Sequence, residues 1–140
     1  MSHTLWIPIT FPSLNELLRK SGHWRKTALS KQIQAIALLS KFKAVEKPAY
    51  YTYLHMEPNK RRDPGNFAAS AQKVIEDGLH GRDIENGLAF IPGDGWGHIL
   101  GFAHHWNLDP VDPGVLLIVG DRLYDHPEAL QIHRSRANPA

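Results

Sequence analysis

The stretch Arg61-Arg62-Asp63-Pro64-Gly65-Asn66 sets two guanidinium groups beside a carboxylate and an amide, with Lys73, Asp77 and Asp94 downstream. Carboxylate and amide oxygens suit a hard divalent cation, and clustered cations suit a phosphate. Together they are the residue types of metal-assisted phosphodiester chemistry. Asn66, Ser70, Lys73 and Asp77 recur at i, i+4, i+7 and i+11, so on a helix they form one polar stripe. That stripe borders an apolar one formed by Phe67, Ala71, Val74, Ile75 and Gly78. Each residue alone has an ordinary explanation as well. Asp63 before Pro64 is a good helix N-cap, Lys73 and Asp77 make an i,i+4 pair, and Arg61 and Arg62 suit a solvated loop.

A second group, His98, His104 and His105 with Trp96 and Trp106, could supply a metal ligand or a general base. Adjacent strand residues point to opposite faces, so His104 and His105 cannot both face one site. They read as a surface pair, while His98, close to Asp94, stays open as a site residue.

The elements that must carry these residues follow from periodicity. Leu5, Ile7 and Ile9 alternate with Thr4, Trp6 and Pro8, which predicts a first strand at a sheet edge. Phe11 to Asn15 is a structured turn. Helical spacing over residues 27–43 predicts a long helix, ended near Glu46-Lys47-Pro48. Ala49–Glu57 alternates and is rich in Tyr, a second strand. A second main helix opens at Asp63-Pro64 and closes at His80-Gly81. A Gly-rich segment leads to a short strand over His98–Phe102, and Asp112-Pro113-Gly114 turns into a buried strand, Val115–Val119. Weak helical turns are expected over Pro127–Gln131, and disorder after Arg134. The expected fold is therefore α/β: one domain over residues 1–134, a small mixed sheet of about four strands and two main helices, then a tail over 135–140.

Composition sets the outer limits. The 140 residues suffice for one hydrophobic core, and the absence of cysteine removes disulfides, a thiol nucleophile and Cys-rich zinc sites. The N-terminus lacks the pattern of a secretion signal, and no apolar run is long enough to span a bilayer, so a cytoplasmic location is the expectation. The net charge of +2 hides an asymmetry: residues 1–62 sum to +8 and residues 63–140 to −6. A basic half can attract a nucleic-acid backbone, and an acidic half can hold a cation.

The string Arg-Arg-Asp-Pro-Gly-Asn, a helix bearing Lys73 and Asp77-Gly78-Leu79, and a loop with Asp94 before His98-Ile99-Leu100-Gly101 resembles the RusA-type Holliday junction resolvases and their phage relatives. Phe11-Pro12-Ser13-Leu14-Asn15, followed by Trp24, is similar to the opening of that family. The resemblance spans roughly residues 5–120. It implies a homodimer that binds branched DNA, chiefly four-way junctions, and makes symmetric nicks with Mg²⁺ or Mn²⁺. It implies Asp63 and Asp94 as metal ligands, and Asp77 as a third ligand or as the group orienting Lys73. Lys73 would meet the scissile phosphate or position the attacking water, and Asn66 would brace the carboxylates. Arg25, Lys26, Lys31, Lys60, Arg61, Arg62 and Asn15 would contact DNA.

The chain departs from the family pattern at three points. Gly65 stands where the second motif acid is usual, Asp94 stands alone between Gly93 and Gly95, and Lys73 lies about a turn further from Asp63. Asp83 or Glu85 could be recruited instead. Two further readings therefore stand beside the endonuclease: a junction-binding protein with an impaired active site, and an α/β module whose basic half binds an acidic partner.

Overall fold

The structure is a computed structural model that describes residues 2–19, 22–61, 63–93 and 95–137. Its elements run β1 (His3–Ile7), α1 (Leu14–Leu17), α2 (Gly22–Leu39), β2 (Ala49–Glu57), α3 (Pro64–His80), β3 (Ile99–Leu108), β4 (Gly114–Gly120) and α4 (His126–Ala137). The strands form one mixed sheet in the order β1-β4-β2-β3. β4 is antiparallel to both neighbours, and β2 and β3 are parallel, joined by α3 as a crossover. The α/β class and the four-strand mixed sheet are those expected from the sequence.

Side-chain alternation divides the sheet into two faces. Leu5, Ile7, Tyr51, Tyr53, Val115, Leu117 and Val119 point toward α2 and α3, where Ile33, Ala37, Ala71, Val74, Ile75 and Leu79 complete the main core. Leu54, Met56, Leu116 and Ile118 point the other way and are covered by Ala129, Leu130 and Ile132 of α4. β4 is buried on both faces along its whole length, which is why it reads as an unbroken apolar run.

The boundaries that differ from expectation have local causes. β1 ends at Ile7, before Pro8, and the Ile9 N–H turns back onto the Ile7 carbonyl at 2.8 Å. α2 begins at Gly22 and ends at Leu39 rather than running over 27–43. Lys41 takes a left-handed backbone (φ 54°), with Phe42 N–H on the Ala37 carbonyl and Lys41 N–H on the Leu38 carbonyl. This is a Schellman stop made without glycine, so no residue type announces it. Ser13 caps the short α1 by accepting the Glu16 N–H at 3.1 Å. β3 extends to Leu108, well past Phe102, because its residues pair in parallel with β2 to the end. α4 is a helix through Ala137, where only weak turns and then disorder were expected.

α3 has the ends that its sequence predicts. Asp63 is its N-cap, with Pro64 in the first turn, and Gly81 closes it with a left-handed backbone (φ 72°) and its N–H on the Asp77 carbonyl. Gly78 is where α3 crosses α2. A Cβ there would lie 2.6 Å from Ile33 Cβ and 2.9 Å from the Ser30 carbonyl oxygen. Gly78→Ala should therefore destabilise the fold by about 1–3 kcal/mol. Gly65→Ala, which meets nothing nearer than Asp63 Oδ1 at 3.8 Å, should be neutral or stabilising in the same chemical-denaturation experiment.

Candidate functional site

The motif opens at the C-terminal end of β2. Lys60, Arg61 and Asp63 are exposed there, and Arg62 lies outside the described residues. Asp63 Oδ1 accepts the Gly65 N–H at 3.2 Å, so the carboxylate sits over the positive end of the α3 dipole. Asn59 Oδ1 accepts the Arg61 N–H at 2.9 Å and shapes the loop that presents the cations. The result is an exposed carboxylate with cations on its doorstep.

The polar stripe is present on α3, and its members go to different partners. Asn66 Oδ1 accepts the Leu14 N–H at 3.2 Å, an unpaired donor at the start of α1. Ser70 Oγ, fully buried, donates to the Pro12 carbonyl at 2.5 Å. Asp77 takes Lys26 of α2 at 2.8 Å and Lys73 at 3.5 Å. The stripe is thus a seam that fastens the Pro12-Ser13-Leu14 turn and α2 to α3. Of its residues, Lys73 is the one whose side chain is more than half exposed. Arg25 pairs with Glu16 at 2.8 Å, and Lys31 and Asn15 are exposed.

Distances along α3 decide which site residues meet. At 1.5 Å per residue, Asp77 lies about 21 Å along the axis from Asp63, and Lys73 about 15 Å. Asp94 lies outside the described residues. Its neighbours are at the far end of the sheet: the Gly93 backbone packs against the His98 ring, and the His98 carbonyl accepts the N–H of Ala49, the first residue of β2. The Phe90 N–H is held by the Leu79 carbonyl near the C-terminus of α3. Asp63 and the described residue Gly93 therefore sit toward opposite ends of a helix about 25 Å long. One chain brings Lys26, Lys73 and Asp77 together, and separates them from Asp63.

The donor set for Mg²⁺ is correspondingly incomplete. Among the described residues no three His, Asp or Glu side chains are placed to hold one ion. Asp77 is occupied by two lysines, and beside the exposed cations stand exposed Asp63 and half-buried Glu57, two carboxylates where a Mg²⁺ site calls for more. The described residues of a single chain do not fit a Mg²⁺ site.

A second polar system, which the sequence reading did not find, lies between α3 and the β2–β3 pair. His104 Nε2 meets Gln72 Oε1 at 2.7 Å, and His104 Nδ1 meets His55 Nε2 at 2.8 Å. The Gln72 oxygen can only accept, so His104 carries its proton on Nε2 and its Nδ1 accepts from His55. The rings of Tyr53, His104, His55 and Trp106 stack, with centroid separations between 4.9 and 6.3 Å. Beside them the Tyr53 hydroxyl donates to buried Glu76 at 2.6 Å. Burial, and then the Glu76 carboxylate, push the Tyr51 and Tyr53 phenols up, so both stay neutral. The available signal was the parity of β2: Tyr53 and His55 share a face, and parallel pairing sets His104 and Trp106 against them.

His104 and His105 do point to opposite faces. His105 Nε2 donates to the Tyr124 carbonyl at 2.8 Å, on the α4 side. His104 is not a plain surface residue but half-buried against buried His55, with Gln72 of α3 bonded to it. No family model matches the chain, and no curated protein matches it.

Burial, followed by the nearby His105, lowers the His104 pKa to about 4, below the usual 6.5 of an imidazole. The folded state thus prefers the neutral ring. Its contribution to stability is complete above about pH 6.5 and is lost as pH falls toward 4, where the unfolded chain takes up the proton first. The loss should be on the order of 2 kcal/mol, after allowance for partial exposure. Urea denaturation across that window should show the wild-type decline, and His104→Asn should flatten it. An equal slope in both proteins would remove His104 as the cause.

Proposed function

We propose that this protein is a structure-specific DNA endonuclease that nicks branched DNA, with four-way junctions as the substrate class. The observation that carries the reading is the exposed Asp63 carboxylate at the N-terminus of α3, directly after exposed Lys60 and Arg61. It lies at the C-terminal edge of a parallel strand pair, where open α/β sheets place their binding crevices. The resemblance of this same segment to RusA-type resolvases supports the chemistry.

In this reading Lys60 and Arg61 hold phosphates of the backbone, and Lys31 and Arg25 on α2 extend the contact. Asp63 accepts a hydrogen bond from water and directs it to the phosphorus. A divalent cation, Mg²⁺ or Mn²⁺, calls for more carboxylates than Asp63 offers. The reading therefore requires a homodimer in which a two-fold axis sets the 93–95 loop of one copy against the α3 N-terminus of the other. Such an arrangement has two sites, which suits paired nicks. Cytoplasmic residence is part of the same proposal; among the described residues no helix is long and apolar enough to cross a membrane.

A second reading, a junction-binding protein with an impaired site, is favoured by Gly65 and by the dispersal of the carboxylates. Incubation of labelled junction and linear duplex with Mg²⁺ or Mn²⁺ separates the two. The endonuclease predicts paired nicks confined to the junction, lost at least about a hundredfold in Asp63→Asn, with binding kept. Binding without nicks under either metal selects the binder. Gly65 has room for a carboxylate, so Gly65→Asp should then raise metal-dependent cutting. In both readings affinity falls steeply with salt, and Lys60→Ala with Arg61→Ala lessens the slope by about two.

A further inference from the structure

Beside Asp63 the structure has a cleft of about 250 Å³ between the loop after β2 and the end of β3, lined by Glu57, Asn59, Lys60, Pro64, Trp106 and Leu108, with Asn107 at its side. We propose that this cleft receives a single unpaired nucleobase, stacked on Trp106. The proposal rests on the DNA-binding reading above and gives it a reason to select branched over linear DNA.

Trp106 is built as a platform. Its ring is stacked on the buried His55 at 5.4 Å with planes 17° apart, and it remains 37% exposed. Its backbone is tied from the α4 side, where His126 Nε2 donates to the Trp106 carbonyl at 3.0 Å. An aromatic ring locked on one side and open on the other stacks a base without an ordering cost. Pro64 and Leu108 add apolar walls suited to a flat ring system. The volume is below the roughly 300–1,000 Å³ of pockets for larger ligands, which favours one base over an extended molecule.

The polar lining separates base from phosphate. Asn59 spends its carbonyl oxygen on the Arg61 N–H and keeps its amide nitrogen to donate to a base edge. Lys60 at the rim and exposed Arg61 attract the backbone outside the cleft, while the apolar walls inside it suit a base. A base in the cleft would therefore place its own phosphate next to Asp63. In an intact duplex that base must first be unstacked and unpaired, which costs a few kcal/mol; at a junction crossover the cost is least.

The test is equilibrium binding in EDTA, where no cutting occurs, of a short oligothymidylate and of an abasic strand of equal length. The wild-type protein should bind thymidylate about tenfold more tightly, the change expected for one base stack. Trp106→Ala should bring thymidylate down to the abasic level, and Trp106→Phe should restore most of the difference. Because Trp106 also packs on His55, Leu108→Gln at the exposed end of β3 provides an independent variant. It makes one apolar wall of the cleft polar, leaves the cation loop untouched, and should weaken thymidylate binding while abasic binding stays the same. Equal binding of the two strands by wild type, or unchanged thymidylate preference in Leu108→Gln, would overturn the proposal. Junction nicking is scored separately. A protein that nicks junctions but treats the strands alike keeps the nuclease and loses the cleft; base-dependent binding without nicking does the reverse.

Discussion

α3 is held on three sides by polar groups, those of Glu76 and Ser70 buried and those of Asn66 and Asp77 half-buried, and each bond fixes a different part of the molecule. Glu76 receives the Tyr53 hydroxyl, which ties the helix to the centre of the sheet. Ser70 and Asn66 hold the chain at Pro12 and Leu14, and Asp77 holds α2 through Lys26. An unpaired buried donor or acceptor costs about 1–3 kcal/mol, so the helix cannot slide along the sheet without several such losses at once. Gly78 removes the remaining freedom by letting α2 approach within backbone contact. The direction of α3 follows from these contacts, and its 17 residues set its two ends about 25 Å apart.

That distance shapes the functional reading. The acids and bases that look adjacent along the sequence divide into an exposed group at the N-terminus of α3 and a neutralised group, Lys26, Lys73 and Asp77, near its C-terminus. The second group satisfies itself. The first has cations, one exposed carboxylate and an exposed aromatic ring. In the proposed endonuclease the remaining carboxylate would come from a second copy across a two-fold axis, so that reading requires a dimer.

How much of this could be read from residues alone differs by kind of signal. Asp63-Pro64 and His80-Gly81 marked both ends of α3, since capping and left-handed geometry are local constraints. β2 and β4 were legible because an aromatic, β-prone run and a continuous apolar run both mark strands, and the structure covers each of them on two faces. Lys41 hid the end of α2, since an ordinary side chain took the left-handed position where glycine is usual. β3 was underestimated because none of its residues is fully buried and its partner is distant in sequence. The polar stripe was correctly placed on α3, but its purpose as a seam depended on Pro12, Leu14 and Lys26 coming to meet it. The His55–His104–Gln72 chain needed the parallel register of β2 and β3, which no short window of sequence contains.

The central claim, that the cutting site is completed between two copies, is tested most directly by subunit mixing. Asp63→Asn and Asp94→Asn proteins are each prepared as inactive dimers, then unfolded and refolded together and assayed on a four-way junction with Mg²⁺. The account predicts that the mixture regains cutting, as single nicks, because each mixed dimer rebuilds one site from the intact Asp63 of one copy and the intact Asp94 of the other. Wild-type protein that nicks the junction while the refolded mixture stays inactive would contradict it, and would place both carboxylates in a site made by one chain.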